Sequence, residues 1–194
     1  MTDREQLGKA IQFIAWGYVL LYLDINLGPV NILPNWLGFL LILRALPIIA
    51  EEVPSAALLR PLCSLLATWD GIQWLATCFG ITTELNIIVC IFTILTVIAS
   101  VAGLYFHFQL LTDLATMSEQ YNCPRTDRLL RLRTVNTLIT TVFALPLPWE
   151  TVEWLAIVAL LVFLFISIWI CVVLFSLKGA IMEREESQDI PFSD

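Results

Sequence analysis

Charge is scarce in this chain. Asp, Glu, Lys and Arg make up 14% of its 194 residues, against 59% hydrophobic residues, and the mean hydropathy is +0.84. Soluble globular domains carry about a quarter charged residues, so this composition lies outside their range. Histidine occurs once, which excludes H-E-x-x-H and every other multi-histidine metal site. No G-x-S-x-G elbow, phosphate-binding glycine loop or dinucleotide fingerprint appears. Glu51-Glu52 is followed by Arg60 at the wrong spacing for the Glu-Glu-x-x-x-Arg signature of prenyl-protein proteases. The expectation is therefore a non-catalytic protein with no cofactor and no metal. The five cysteines (63, 78, 90, 123 and 171) have no ligand spacing, and an odd number set mostly within apolar stretches predicts buried thiols. Cys78 and Cys90 fall where the ends of two stretches could meet. The alternation of a membrane β-barrel is absent.

What is present is a series of apolar stretches, at 7–23, 32–50, 57–80, 85–111, 129–147 and 152–177. Leu85–Phe106 and Leu155–Phe175 carry no charged residue, and each exceeds the ~20 residues that cross ~30 Å of hydrocarbon as a helix. Backbone groups inside a bilayer must pair within their own segment, so helices are expected. The basic residues sit in alternate gaps. Arg4 and Lys9 precede the first stretch, and Arg44 and Arg60 flank the gap after the second. Arg125, Arg128, Arg131 and Arg133 follow the fourth, and Lys178 and Arg184 follow the sixth. That alternation is the positive-inside bias of a multi-span protein. It predicts an all-α bundle of six transmembrane helices, arranged as three hairpins with both ends cytoplasmic.

A re-entrant first hairpin would leave the same charge pattern, but full spans are favoured because the residues between Asp24 and Arg44, 25–43, carry no charge. Arg4 and Lys9 ahead of an apolar run resemble a signal peptide, yet small residues at a cleavage offset are missing, so the run reads as a retained first span. The membrane domain is expected over 1–180, with 181–194 an acidic, disordered cytoplasmic tail. The net charge of −7 sits largely in that tail and gives no sign of a nucleic-acid partner. The arginine cluster at 125–133 reads as a topology determinant touching anionic lipid headgroups, with a docking role for a cytoplasmic protein as the alternative.

Three polar features stand out within the stretches. Asp24, Asn26, Asn31 and Asn35 gather around Gly28-Pro29, where they serve either as ligands for a polar solute or hard cation or as turn formers and caps. Asn31 is expected to cap the second helix, with Pro34 in its first turn. Asp70 lies midway along the third stretch, where an unpaired carboxylate is costly, and Gln73 and Trp74 share its face and could donate to it. A direct Arg44–Asp70 pair is disfavoured by depth. Asn86, Cys90, Thr93, Thr96, Ser100, Gly103 and His107 recur every three or four residues along the fourth stretch. The stripe reads as helix packing through small residues, or as the lining of a polar cavity with His107 and Asp113 near its end. Thr126 or Asp127 is expected to cap the fifth helix, and Pro146 and Pro148 to end it.

Asp24-x-Asn26-x-Gly28-x-x-Asn31-Ile32-Leu33-Pro34-x-x-x-Gly38 resembles a stretch near the N-terminus of small multi-span bacterial membrane proteins. The resemblance implies a bacterial cytoplasmic membrane location and no activity. In size, span number and internal termini the chain also resembles the substrate-binding components of energy-coupling-factor vitamin transporters. It departs from them in lacking an Ala-x-x-x-Ala pattern in the first span, where Ala10 and Ala15 are the alanines. That resemblance is of architecture, and it implies a small-solute or ion-binding transport subunit that takes its ligand near the outer face; the polar residues Asp24, Asn26, Asn31, Asn35, Asp70 and Gln73 are themselves expected to make an outward-facing pocket there. The competing readings are an accessory or assembly protein and a lipid-handling protein.

Overall fold

The computed structural model describes residues 4–22, 26–27, 30–31, 34–80, 86–123, 126–144 and 153–188. Among the described residues the structure is all-helical apart from one minimal β-pair. Helix α1 spans Arg4–Tyr22, α2 Asn35–Glu52, α3 Leu59–Cys78, α4 Asn86–Gln120, α5 Thr126–Ala144 and α6 Glu153–Gln188. Strands β1 (Asn26–Leu27) and β2 (Val30–Asn31) pair antiparallel between α1 and α2, with Asn26 opposite Asn31. Each helix packs on the next in chain order and α6 returns to α1, so the six close into a ring. Two of them are long and apolar enough to cross a membrane, Val89–Gln120 in α4 and Leu161–Glu183 in α6.

Local chemistry sets the helix ends. Pro34, with φ −67° and ψ 133°, occupies the N-cap position of α2 without a side-chain cap, and Asn31 lies back in β2. The expected Asn31 cap is therefore corrected: the pairing of β2 draws Asn31 away from the helix start, and proline supplies the extended backbone there. Val53 ends α2 in an extended conformation (φ −127°), as a residue before proline tends to. A 3₁₀ turn over Pro54–Leu58 then leads straight into α3. Helix α4 ends in a complete Schellman motif. Asn122 holds φ 48°, its N–H donates to the Glu119 carbonyl at 2.8 Å, and the Cys123 N–H donates to that of Ser118 at 2.9 Å. The Thr126 hydroxyl bonds Ser118 Oγ and the Cys123 carbonyl, which fastens the start of α5 to the end of α4. Helix α5 ends at Ala144, two residues ahead of Pro146.

Two helices outrun their apolar stretches. Helix α4 continues through Asp113 to Gln120, leaving only a short connection to α5. Helix α6 continues to Gln188. Ile181 is buried, and Met182 to Gln188 are mostly good helix formers, so the apolar anchor carries the acidic turns with it. Residues 189–194 lie outside the described part.

Packing is uneven along the bundle. One end, where α1, α3 and α5 begin and α2, α4 and α6 finish, holds most of the buried side chains, among them Leu7, Ile14, Leu46, Ile49, Leu110, Leu114, Leu132 and Leu177. At the opposite end α4 and α6 present Ile91, Ile98, Val101, Ile157 and Leu161 to their surroundings. Apolar exposure on that scale fits a hydrocarbon environment rather than water. Helices α1 and α2 cross at glycine. A Cβ on Gly17 would lie 2.6 Å from Ile42 Cγ1 and 2.8 Å from the Gly38 carbonyl, and one on Gly38 would lie 2.6 Å from the Gly17 carbonyl. Only glycine lets the two backbones approach so closely.

Candidate functional site

The start of α2 meets the second half of α3. Asp70, Gly71 and Trp74 share one face of α3 by their spacing. The Trp36 and Trp74 rings meet edge-on with centroids 6.3 Å apart, and Gly71 leaves room for Trp36, which a Cβ there would approach to 3.9 Å. Asp70 is half-buried. Among the described residues it has no hydrogen-bond or ion-pair partner, and Arg44 is not near it: that guanidinium lies over the Phe13 ring, 5.3 Å from the centroid. Asn35 Oδ1 and Trp36 Nε1 are both buried without a hydrogen bond. The start of α2 thus carries a buried acceptor and a buried donor without partners, on the helix that meets α3 through the Trp36 and Trp74 rings. Buried polar atoms are paired in the great majority of cases, so two unmet ones on consecutive residues ask for an explanation.

The structure brings together only some of the residues expected to form this site. Gln73 turns to α4, where its Nε2 donates to Thr96 Oγ1 at 3.4 Å, and it is not bonded to Asp70. For Asn26 and Asn31 only the backbone pairing is described, and Asp24 lies outside the described residues. Sequence reasoning did not place Trp36 in this site. An indole at the second position of a helix following proline, facing another tryptophan, was the available signal.

The stripe on α4 divides. Thr96 meets Gln73 and Gly103 faces Leu66, so these two pack on α3. Thr93 and Ser100 are exposed and donate back to the carbonyls of Val89 and Thr96. A 35-residue straight helix drifts relative to a three-four repeat, so one stripe does not stay on one seam. His107 points into the ring, with Nδ1 3.2 Å from the Tyr18 hydroxyl and its ring among Tyr18, Phe39 and Phe106. Beside it Tyr18 stacks on Tyr22, whose hydroxyl donates to Asn136 Oδ1 at 3.1 Å. Asp113 stands apart from His107. It accepts from Ser55 Oγ at 2.7 Å and from Gln109 Nε2 at 2.8 Å, with Oδ2 unpaired. His107 and Asp113 thus belong to two separate polar clusters. Tyr18, Tyr22 and Asn136 were legible only as polar residues within apolar stretches.

At the basic end Arg128 and Arg131 are exposed, whereas Arg133 turns onto α4. Its Nη1 donates to Thr112 Oγ1 at 3.2 Å, and its guanidinium lies 4.7 Å from the Phe108 ring centroid. Arg133 is thus a helix-packing residue as well as a charge on that side. Arg125 lies outside the described residues. Of the thiols, Cys63 and Cys123 are buried, and Cys63 donates to the Phe39 carbonyl at 3.2 Å. Cys78 and Cys90 are exposed, which corrects the expectation of burial for those two, and all five are free. No group of metal ligands is found among the described residues. Comparison with protein families, with curated proteins and with solved structures found no match.

Proposed function

We propose that this chain is a six-span membrane protein that binds a small polar solute or cation at the outer end of α2 and α3. Alternation of basic residues supports the six spans and the internal ends. Helices α1 and α2, at 19 and 18 residues, reach about 27 Å, close to the ~30 Å hydrocarbon thickness, which favours full spans over a re-entrant hairpin. The observation that carries the binding reading is the pair of buried, unmet polar atoms at the start of α2, Asn35 Oδ1 and Trp36 Nε1, on the helix that meets the Asp70–Trp74 stretch of α3 through Trp36. A ligand with a protonated amine suits this set: the carboxylate and the amide oxygen accept from it, the indole N–H donates to a neighbouring oxygen, and the tryptophan faces attract its charge. Transport across a bacterial cytoplasmic membrane is the wider role in which such binding would act. No catalytic step is proposed.

Native mass spectrometry of the protein gently extracted from its own membrane tests this reading. A small molecule or ion retained by the wild type and lost in Asp70→Asn and Trp36→Phe is the expected result. Retention unchanged in both variants, or stoichiometric protein partners with no small ligand, would replace it with the accessory-protein reading.

A further inference from the structure

The ring has one open seam. Helices α5 and α6 touch sparingly, and between them runs a cleft of 370 Å³ walled by Val135 and Ile139 of α5 and by Val158, Val162, Phe165 and Trp169 of α6. Trp169 also lines a second cavity of 290 Å³, which continues the seam toward Arg128, Arg131 and Ser176. The two meet at Trp169, so the seam is apolar for most of its length and cationic at one end. Spacing accounts for this. Positions 128, 131, 135 and 139 recur along one stripe of α5, and 158, 162, 165, 169 and 176 along one stripe of α6.

We infer that this seam is a binding site for one anionic phospholipid, its phosphate on Arg128 and Arg131 and an acyl chain along the cleft. Three observations commit the site to that occupant. Arginines at i and i+3 stand side by side on the helix and match the oxygens of a phosphate. The rise from Val158 to Trp169 is ~17 Å, and one leaflet of hydrocarbon is ~15 Å deep. Arg128 and Arg131 also share the side that the positive-inside pattern assigns to the cytoplasm, where anionic headgroups attract basic residues. A free phosphate would use the arginines and leave the cleft without a role. Arg133, turned away onto Thr112, takes no part.

The test uses the full chain in mixed micelles of phosphatidylglycerol and phosphatidylcholine with matched acyl chains, read by native mass spectrometry. The wild type is expected to retain phosphatidylglycerol over phosphatidylcholine by about tenfold. Arg128→Gln with Arg131→Gln should bring the two lipids to parity, leaving Arg125 and Arg133 to hold the topology. Val135→Trp, which fills the cleft, should lower retention of both lipids, and Ile139→Trp serves the same purpose should that variant fail to accumulate. Arg60→Gln, in the first turn of α3, should change nothing. Parity in the wild type would overturn the inference, as would equal loss of preference in Arg60→Gln. So would unchanged retention with the cleft filled, or displacement of the lipid by inorganic phosphate as readily as by phosphatidylglycerol. Asp70→Asn is expected to leave lipid retention intact, which keeps this result separate from that of the solute site.

Discussion

Asp113 and Arg133 lie on adjoining helices, yet each finds neutral partners rather than the other. Asp113 is 2% exposed and held by Ser55 and Gln109. Asp113→Ala strands both donors and is expected to lower stability by about 1–3 kcal/mol, while Ser55→Ala should cost about 1 kcal/mol. Thermal unfolding in detergent, followed by the reactivity of buried Cys63 toward a thiol reagent, measures both. Equal, negligible shifts would show that this cluster contributes nothing to folding. Tyr18→Phe should likewise cost about 1 kcal/mol through the lost bond to His107. At this scale the sequence was informative about which residues are unusual and poor about their partners. Asp70, Gln73 and Trp74 share one stretch of α3, yet Gln73 serves α4 and Trp74 serves α2. One residue along a helix is a rotation of ~100°, enough to split Gln73 and Trp74 between two contacts.

Helix ends and crossings carry the next set of expectations. Gly17→Ala or Gly38→Ala would drive a methyl into backbone at the α1–α2 crossing, and each is expected to destabilise by about 1–3 kcal/mol. The same unfolding assay decides it: an alanine tolerated at both positions would mean that the helices can separate without loss. Asn122 sits in the left-handed region at the end of α4. Asn122→Gly should be neutral or slightly stabilising, whereas Asn122→Val should cost about 1–2 kcal/mol, a contrast that lost hydrogen bonding alone would not produce. Element positions were largely legible, because apolar runs and prolines punctuate the chain. The lengths of α4 and α6 were not, because their final turns are amphipathic or acidic. Buried Leu114, Met117 and Ile181 hold those turns in place.

For the whole molecule the sharpest expectation is sidedness. Cys78 lies at the end of α3 away from the arginines, and Gln120 lies at the basic end of α4; both are exposed. A membrane-impermeant maleimide should label Cys78 in intact cells, and should label Gln120→Cys, in a background without other cysteines, only after permeabilisation. Labelling of both from the same face would dismiss a six-span arrangement with internal ends. The uneven packing has a consequence at this scale too. Substitutions in the well-buried basic half should be more damaging than equivalent ones along the exposed, hairpin-side stretch of α4.

Composition and the spacing of apolar runs by themselves determined that the chain is helical, where its helices lie, and which residues are out of place in an apolar environment. Those properties are local: hydrophobicity over one or two turns, a proline, a charge. Tertiary structure alone decided that α6 closes on α1, that α5 and α6 leave a seam with arginines at its mouth, and that Asn35 Oδ1 and Trp36 Nε1 are buried without a partner. Such features depend on the rotation of each helix about its axis and on which neighbour it meets. A helix with apolar residues on every side carries little periodic signal for that rotation; it is set by close packing among all six helices at once.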